Sequence, residues 1–142
     1  MLYGVAIVVH VLTAVLGIGL VGAIPLTARS ARRSSGELVG SGALLGTLLR
    51  AVQVGLLAMF LTGVLLDLSV AGAFHRAGWF RASILVFGIL AFSLARARAA
   101  LRRGSAPGGV RRDALERVER WGWAMCASVA LLTTLMQTKP LS

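Results

Sequence analysis

The main feature of the sequence is a series of four long apolar stretches separated by short basic segments. Residues 1–28 carry no formal charge, and uncharged runs of 16, 14 and 18 residues follow at 51–66, 82–95 and 121–138. A bilayer core about 30 Å thick is crossed by roughly 20 helical residues. With uncharged or long basic side chains at their ends, all four runs reach that length. The pattern predicts four transmembrane helices over about 3–27, 43–70, 77–101 and 115–138.

Short connections between long helices predict one all-α transmembrane domain over residues 1–142, a polytopic membrane protein folded as an antiparallel four-helix bundle. A soluble bundle does not explain Ile84–Ala95, which has no polar face. A cleaved signal peptide has a basic first segment and a shorter apolar run. Met1–Gly4 contains no basic residue, so we interpret the first run as a retained helix.

The basic residues predict how the chain is oriented. With both loops on one side, that side carries twelve of the fifteen basic and four of the five acidic residues, a net charge of +8 against +2 on the other. Basic loops stay in the cytoplasm. We therefore expect a bacterial-type inner membrane protein with loops 28–42 and 102–114 cytoplasmic and both termini periplasmic.

Composition limits the remaining classes of protein. The chain is 57% hydrophobic and 14% charged, with one cysteine and two histidines. These counts exclude a disulfide-stapled domain and a conventional zinc module. Because the charge of +10 is explained by topology and by attraction to the lipid bilayer, nucleic acid is not an expected partner.

His10 is the leading candidate for chemistry, since ionisable groups within a bilayer are costly and often functional. On its helix face it is flanked by Ala6, Ala14 and Gly17. These small neighbours leave room for a flat ligand or let another helix approach closely. Two interpretations of His10 stay open. It makes a single interhelical hydrogen bond, or it binds a metal as the axial ligand of haem iron.

The haem hypothesis names further residues at the outer end of the bundle. His75 is a candidate second ligand and Met59 a thioether alternative, each set against a purely structural role. Cationic side chains there suit haem propionates: Arg76, Arg81 and Lys139. The sequence therefore leaves two alternatives for a cofactor: the protein binds haem b, or it binds no cofactor.

Other polar and aromatic residues predict contacts with lipid or with partner subunits. Arg50 and Gln53 lie one turn apart on the second helix, and Trp121 and Trp123 suit the inner membrane interface. The hydroxyls and amide of the fourth helix are expected to join helices. No arrangement of residues typical of a catalytic site is visible, so we name no catalytic residue and lean against an enzyme.

Three short motifs resemble a known group of proteins. They are His10–Gly17 near the start, Gly78-Trp79-Phe80 opening the third helix, and Thr138-Lys139-Pro140 after the last one. The chain resembles a divergent member of the small four-helix membrane proteins that include CopD-like domains, HemJ-type protoporphyrinogen oxidases and related predicted integral membrane proteins. The resemblance implies haem ligation by His10. It does not extend to the oxidase activity, because Ser83 stands where the HemJ-type enzymes have a lysine.

Two functions follow as hypotheses. The first is an accessory or structural subunit of a membrane complex, one serving bioenergetics for example, or a homo-oligomer. The second is a b-type haem-binding or redox-linked protein that uses His10.

Overall fold

The computed structural model describes residues 2–34, 40–70, 72, 76–106 and 108–138, which form four long helices and a short hairpin. The helices are α1 (Leu2–Arg33), α2 (Ser41–Ser69), α3 (Gly78–Gly104) and α4 (Arg112–Thr138). Strands β1 (Ser105–Ala106) and β2 (Gly109–Val110) pair antiparallel between α3 and α4. The expected all-α bundle of four helices is therefore present, with one hairpin that the apolar pattern does not predict.

The helices run further than the apolar pattern indicates. α1 continues to Arg33, α3 continues to Gly104, and α4 already begins at Arg112. The connections expected over 28–42 and 102–114 are shorter by the same amounts. Arginine has a high helix propensity, so a change from apolar to basic residues marks the edge of a membrane without ending a helix.

Ion pairs form among the charged residues at the end of the bundle where α1 ends and α4 begins. Arg32 of α1 contacts Glu119 of α4, with 3.0 Å between Nη2 and Oε2. Two pairs expected from their i,i+4 spacing are also present: Asp113–Arg117 and Glu116–Arg120. The hairpin continues this end, and Gly109 turns it with a φ of +125°, a conformation that favours glycine.

Contacts between helices fix their directions. His10 of α1 contacts Thr62 of α2, whereas the later Gly17 meets the earlier Gly55, so these helices are antiparallel. α4 is antiparallel to α1, because Gly122 meets Pro25 whereas the later Cys126 meets the earlier Val21. The contacts Gly104–Ala114 and Phe92–Trp121 show that α4 is also antiparallel to α3. α2 and α3 contact each other little. The bundle therefore closes along three of its four seams.

Two of these seams are close because glycine lies at the crossing. A Cβ atom at Gly55 would lie 2.9 Å from the Cα of Gly17, and one at Gly122 would lie 2.9 Å from the Cδ of Pro25. Both distances are shorter than real Cβ atoms tolerate. α2 and α4 therefore approach the backbone of α1 more closely than any larger residue would allow.

Three helices are long and apolar enough to cross a membrane, among the residues that the structure describes: Gly4–Arg33, Ser41–Ser69 and Gly78–Gly104. Large side chains such as Val15, Leu65 and Leu85 are 64%, 58% and 71% exposed. So much exposed apolar surface indicates contact with lipid and not with water. α4 is less apolar than the other three.

The buried residues of α1 and α2 are confined to one half of the bundle. In the described part of α1 the buried residues begin at Gly17, and in α2 they end at Met59. Ile24, Leu49 and Leu90 are among the fully buried residues of this half. The opposite half, which holds His10, is loosely packed and contains the cavity described next.

Candidate functional site

A cleft of about 640 Å³ lies between α2 and α3 in the loosely packed half. His10 of α1 and Leu132 of α4 also reach it. The rings of Phe60 and Phe87 meet across it with centroids 5.8 Å apart. Its lining is mostly apolar and comprises His10, Met59, Phe60, Gly63, Val64, Leu66, Asp67, Leu68, Trp79, Phe80, Ser83, Ile84, Phe87, Leu132 and Met136. Most of this lining belongs to α2 and α3, two of the helices that are long and apolar enough to cross a membrane.

His10 is held at the cleft by a hydrogen bond between helices. Its Nδ1 atom lies 2.8 Å from Oγ1 of Thr62 on α2. A Cβ atom at Gly63 would lie 3.6 Å from Cε1 of His10, so this glycine lets the imidazole lie against α2. The expected interhelical hydrogen bond of His10 is therefore present, and it orients the ring in the cleft.

The partners of Thr62 indicate which imidazole nitrogen carries the proton. Its Oγ1 lies 2.8 Å from the carbonyl oxygen of Ala58 and 3.1 Å from that of Met59. A hydroxyl has one proton, and here it is donated to the backbone. Oγ1 is then the acceptor for Nδ1–H of His10. This tautomer leaves Nε2 with a lone pair that can accept a hydrogen bond or bind a metal ion.

The structure places the other proposed haem residues differently. Met59 is buried and shares the cleft with His10. Arg76 and Arg81 are exposed, and neither belongs to the cleft lining. The remaining two proposed residues lie outside the described part of the chain: His75 and Lys139.

The residues proposed for the opposite end lie on the outer surface of the bundle. Arg50 and Gln53 are exposed on α2, and Trp123 is 47% exposed on α4. Trp121 is half-buried between α4 and α3. These positions are compatible with contact with lipid.

Sequence reasoning missed Thr62. It is the one polar residue between Gln53 and Asp67 apart from glycine, and it lies next to Gly63. A lone hydroxyl at this place was a signal that the helix face carrying it meets another polar group. The helix that provides the partner could not be deduced without the register of α1 against α2.

Comparisons with protein families, curated proteins and solved structures found no match for this chain. Within the described residues, no group of three or more His, Cys, Asp or Glu side chains is placed to hold a metal ion. The assignment of function therefore starts from the cleft and from His10.

Proposed function

We propose that the protein is a small integral membrane protein that holds haem b in the α2–α3 cleft, with His10 as axial ligand. The observation that carries the proposal is the contact of His10 with Thr62. It holds the imidazole at the cleft, and donation of the Thr62 hydroxyl to the backbone favours the tautomer in which Nε2 is unprotonated. Histidines that bind metals commonly donate their other ring N–H to a fixed acceptor in this way.

The described lining of the cleft suits the apolar ring of haem and includes His10, the proposed ligand. A volume of about 640 Å³ lies within the range of ligand cavities, and the walls are aromatic and aliphatic. Asp67 is the one charged side chain in the described lining, and a carboxylate does not attract propionates. The proposal therefore rests on His10 and the apolar walls, and not on Arg76 or Arg81.

Haem bound here would supply one-electron transfer at the iron. The chain's own residues bind and orient it. Thr62 keeps Nδ1 of His10 protonated, and the apolar side chains around the cleft exclude water and lower the local dielectric constant. Met59 lines the same cavity, where its thioether would pack against the bound group or serve as a second ligand.

Titration of the detergent-purified protein with hemin tests this proposal. We expect the wild type to develop a Soret band, and a b-type α band after reduction, while His10→Ala develops neither. Thr62→Val should still bind, but about 10–100-fold more weakly, because the acceptor for Nδ1–H is lost.

His75→Ala is the matched control because it removes the chain's other imidazole. It should leave the Soret band in place, and circular dichroism should show that every variant remains helical. A wild type that stays colourless would refute the haem assignment. A band that survives in His10→Ala would refute the role of His10.

We further propose that α4 also spans the bilayer, in a bacterial-type inner membrane, with both loops cytoplasmic and both termini outside. The distribution of arginines supports this orientation. In a Cys126→Ala background, Ser105→Cys should be protected from a membrane-impermeant maleimide in intact cells, and Gly4→Cys should be labelled. The reverse pattern would contradict the orientation.

The accessory-subunit hypothesis has one supporting observation, the weak contact between α2 and α3. A helix of a partner subunit would cover apolar surface at this seam. Purification in mild detergent tests it, because a stable complex would contain larger subunits in fixed proportion. The placement of His10 at the cleft favours the cofactor hypothesis, since a purely apolar seam would serve a partner helix equally well.

A further inference from the structure

A cluster of one cation and two aromatic rings lies where α3 meets α4, far from the cleft. The rings of Phe92 and Trp121 are edge to face, with centroids 5.8 Å apart. The guanidinium carbon of Arg96 lies 5.7 Å from the centroid of Trp121 and 6.0 Å from that of Phe92. Both distances fall within the range of cation–π attraction. The rings therefore hold the Arg96 side chain in one place.

The cluster lies at a depth where lipid headgroups begin. Arg96 follows Gly78, the first residue of α3, by 18 positions, which is about 27 Å along the helix. A hydrocarbon core is about 30 Å thick, and tryptophan is enriched at its edges. The guanidinium thus lies close to the boundary between acyl chains and headgroups.

The cluster also faces outward, and no carboxylate among the described residues pairs with it. Arg96 is exposed and Phe92 is 57% exposed. Among the described residues, the ion pairs of the basic end use other arginines, namely Arg32, Arg111, Arg117 and Arg120. No carboxylate of the described chain is paired with Arg96.

We propose that Arg96, Phe92 and Trp121 form a binding site for an anionic phospholipid in the leaflet at this end. Two ring faces fix the planar guanidinium, whose N–H groups match phosphate oxygens in pairs. The exposed face of Phe92 offers apolar contact to the acyl chain of the same lipid. This site is independent of the cleft and of any group bound there.

Quenching of Trp121 fluorescence by brominated lipids measures the preference directly. The full chain with Trp79→Phe and Trp123→Phe retains Trp121 as its one tryptophan. It is reconstituted into phosphatidylcholine vesicles that contain either brominated phosphatidylglycerol or brominated phosphatidylcholine at equal fractions. One arginine near an anionic surface predicts an enrichment of about five-fold for phosphatidylglycerol. Equal quenching by the two lipids would overturn the proposal.

Variants of α3 in this single-tryptophan protein assign the preference to Arg96. Arg96→Gln should remove it, and Arg96→Lys should keep part of it, because the charge remains while the planar donors are lost. Arg102→Gln is the matched control, an exposed arginine of the same helix, and should keep the preference. A preference that persists in Arg96→Gln, or one that inorganic phosphate abolishes at constant ionic strength, would overturn the lipid assignment.

Discussion

Replacement of Gly122 by alanine tests whether α4 crosses α1 as closely as the structure shows. A Cβ atom at Gly122 would lie 2.9 Å from Cδ, 3.0 Å from Cβ and 3.0 Å from N of Pro25. Packed carbon atoms are normally about 3.5–4.0 Å apart, so the helices have to separate by roughly 0.5–1 Å. The pyrrolidine ring is part of the backbone of α1 and cannot rotate away.

The expected change in stability follows from two opposing effects. Overpacking of this kind costs about 1–3 kcal/mol, whereas replacing a helical glycine by alanine contributes about 1 kcal/mol. Gly122→Ala should therefore lower the free energy of unfolding by up to about 2 kcal/mol. Gly88→Ala is the matched control, because a Cβ there meets nothing within 4 Å, and it should gain about 0.5–1 kcal/mol.

Cys126 provides the assay, since it is the chain's one cysteine and lies one turn after Gly122 on α4. Its Sγ atom is 3.9 Å from the carbonyl oxygen of Val21 on α1, so separation of the two helices exposes it. A thiol-reactive fluorescent maleimide in detergent should report a lower melting temperature for Gly122→Ala than for Gly88→Ala. Equal melting temperatures would refute the close crossing.

Two further substitutions test other contacts. Gly55→Ala places a Cβ 2.9 Å from the backbone of α1, whereas Gly46→Ala meets nothing within 4 Å, so only the former should lower the melting temperature and weaken hemin binding. Desolvation raises the pKa of Asp113, but the charges of Arg111 and Arg117 outweigh it and lower the pKa overall. Its stabilisation is full above the ordinary pKa of about 3.9 and is lost as pH falls through the lowered pKa. Asp113→Asn should therefore lower the melting temperature in circular dichroism at neutral pH and leave it unchanged near pH 2.

The sequence predicts the number of helices because each uncharged run, together with its flanking side chains, reaches the length that a bilayer requires. It does not predict where α1 and α3 end, since Arg33 and Arg103 continue a helix as readily as leucine does. The ion pairs of α4 could be predicted because i,i+4 spacing is local. The contact of His10 with Thr62 could not, because it joins positions 52 residues apart and depends on the glycine crossing of α1 with α2.

The hydropathy pattern of the sequence also does not predict the cleft. Hydropathy reports which surfaces avoid water, but lipid and the core of a bundle are equally apolar, so it cannot say which seams close. In this chain two of the three closed seams, α1–α2 and α1–α4, coincide with glycines opposite backbone, at Gly17 and Gly122, whereas the α2–α3 seam meets at the larger rings of Phe60 and Phe87. Residue size along a helix face therefore indicates where the bundle opens.

The polar character of α4 does not argue against its spanning the bilayer. The hydroxyls of Ser128, Thr133 and Thr134 are predicted to join helices, but they donate instead to carbonyl oxygens one turn earlier in α4. The hydroxyl of Thr138 does the same. A hydroxyl that is hydrogen-bonded within its own helix avoids much of the cost of transfer into an apolar medium. A hydropathy scale assigns the same value to every serine or threonine, whether or not its hydroxyl is hydrogen-bonded within the helix. α4 is therefore better suited to lipid than its composition suggests, which supports the proposal that α4 spans the bilayer and that both loops lie on one side.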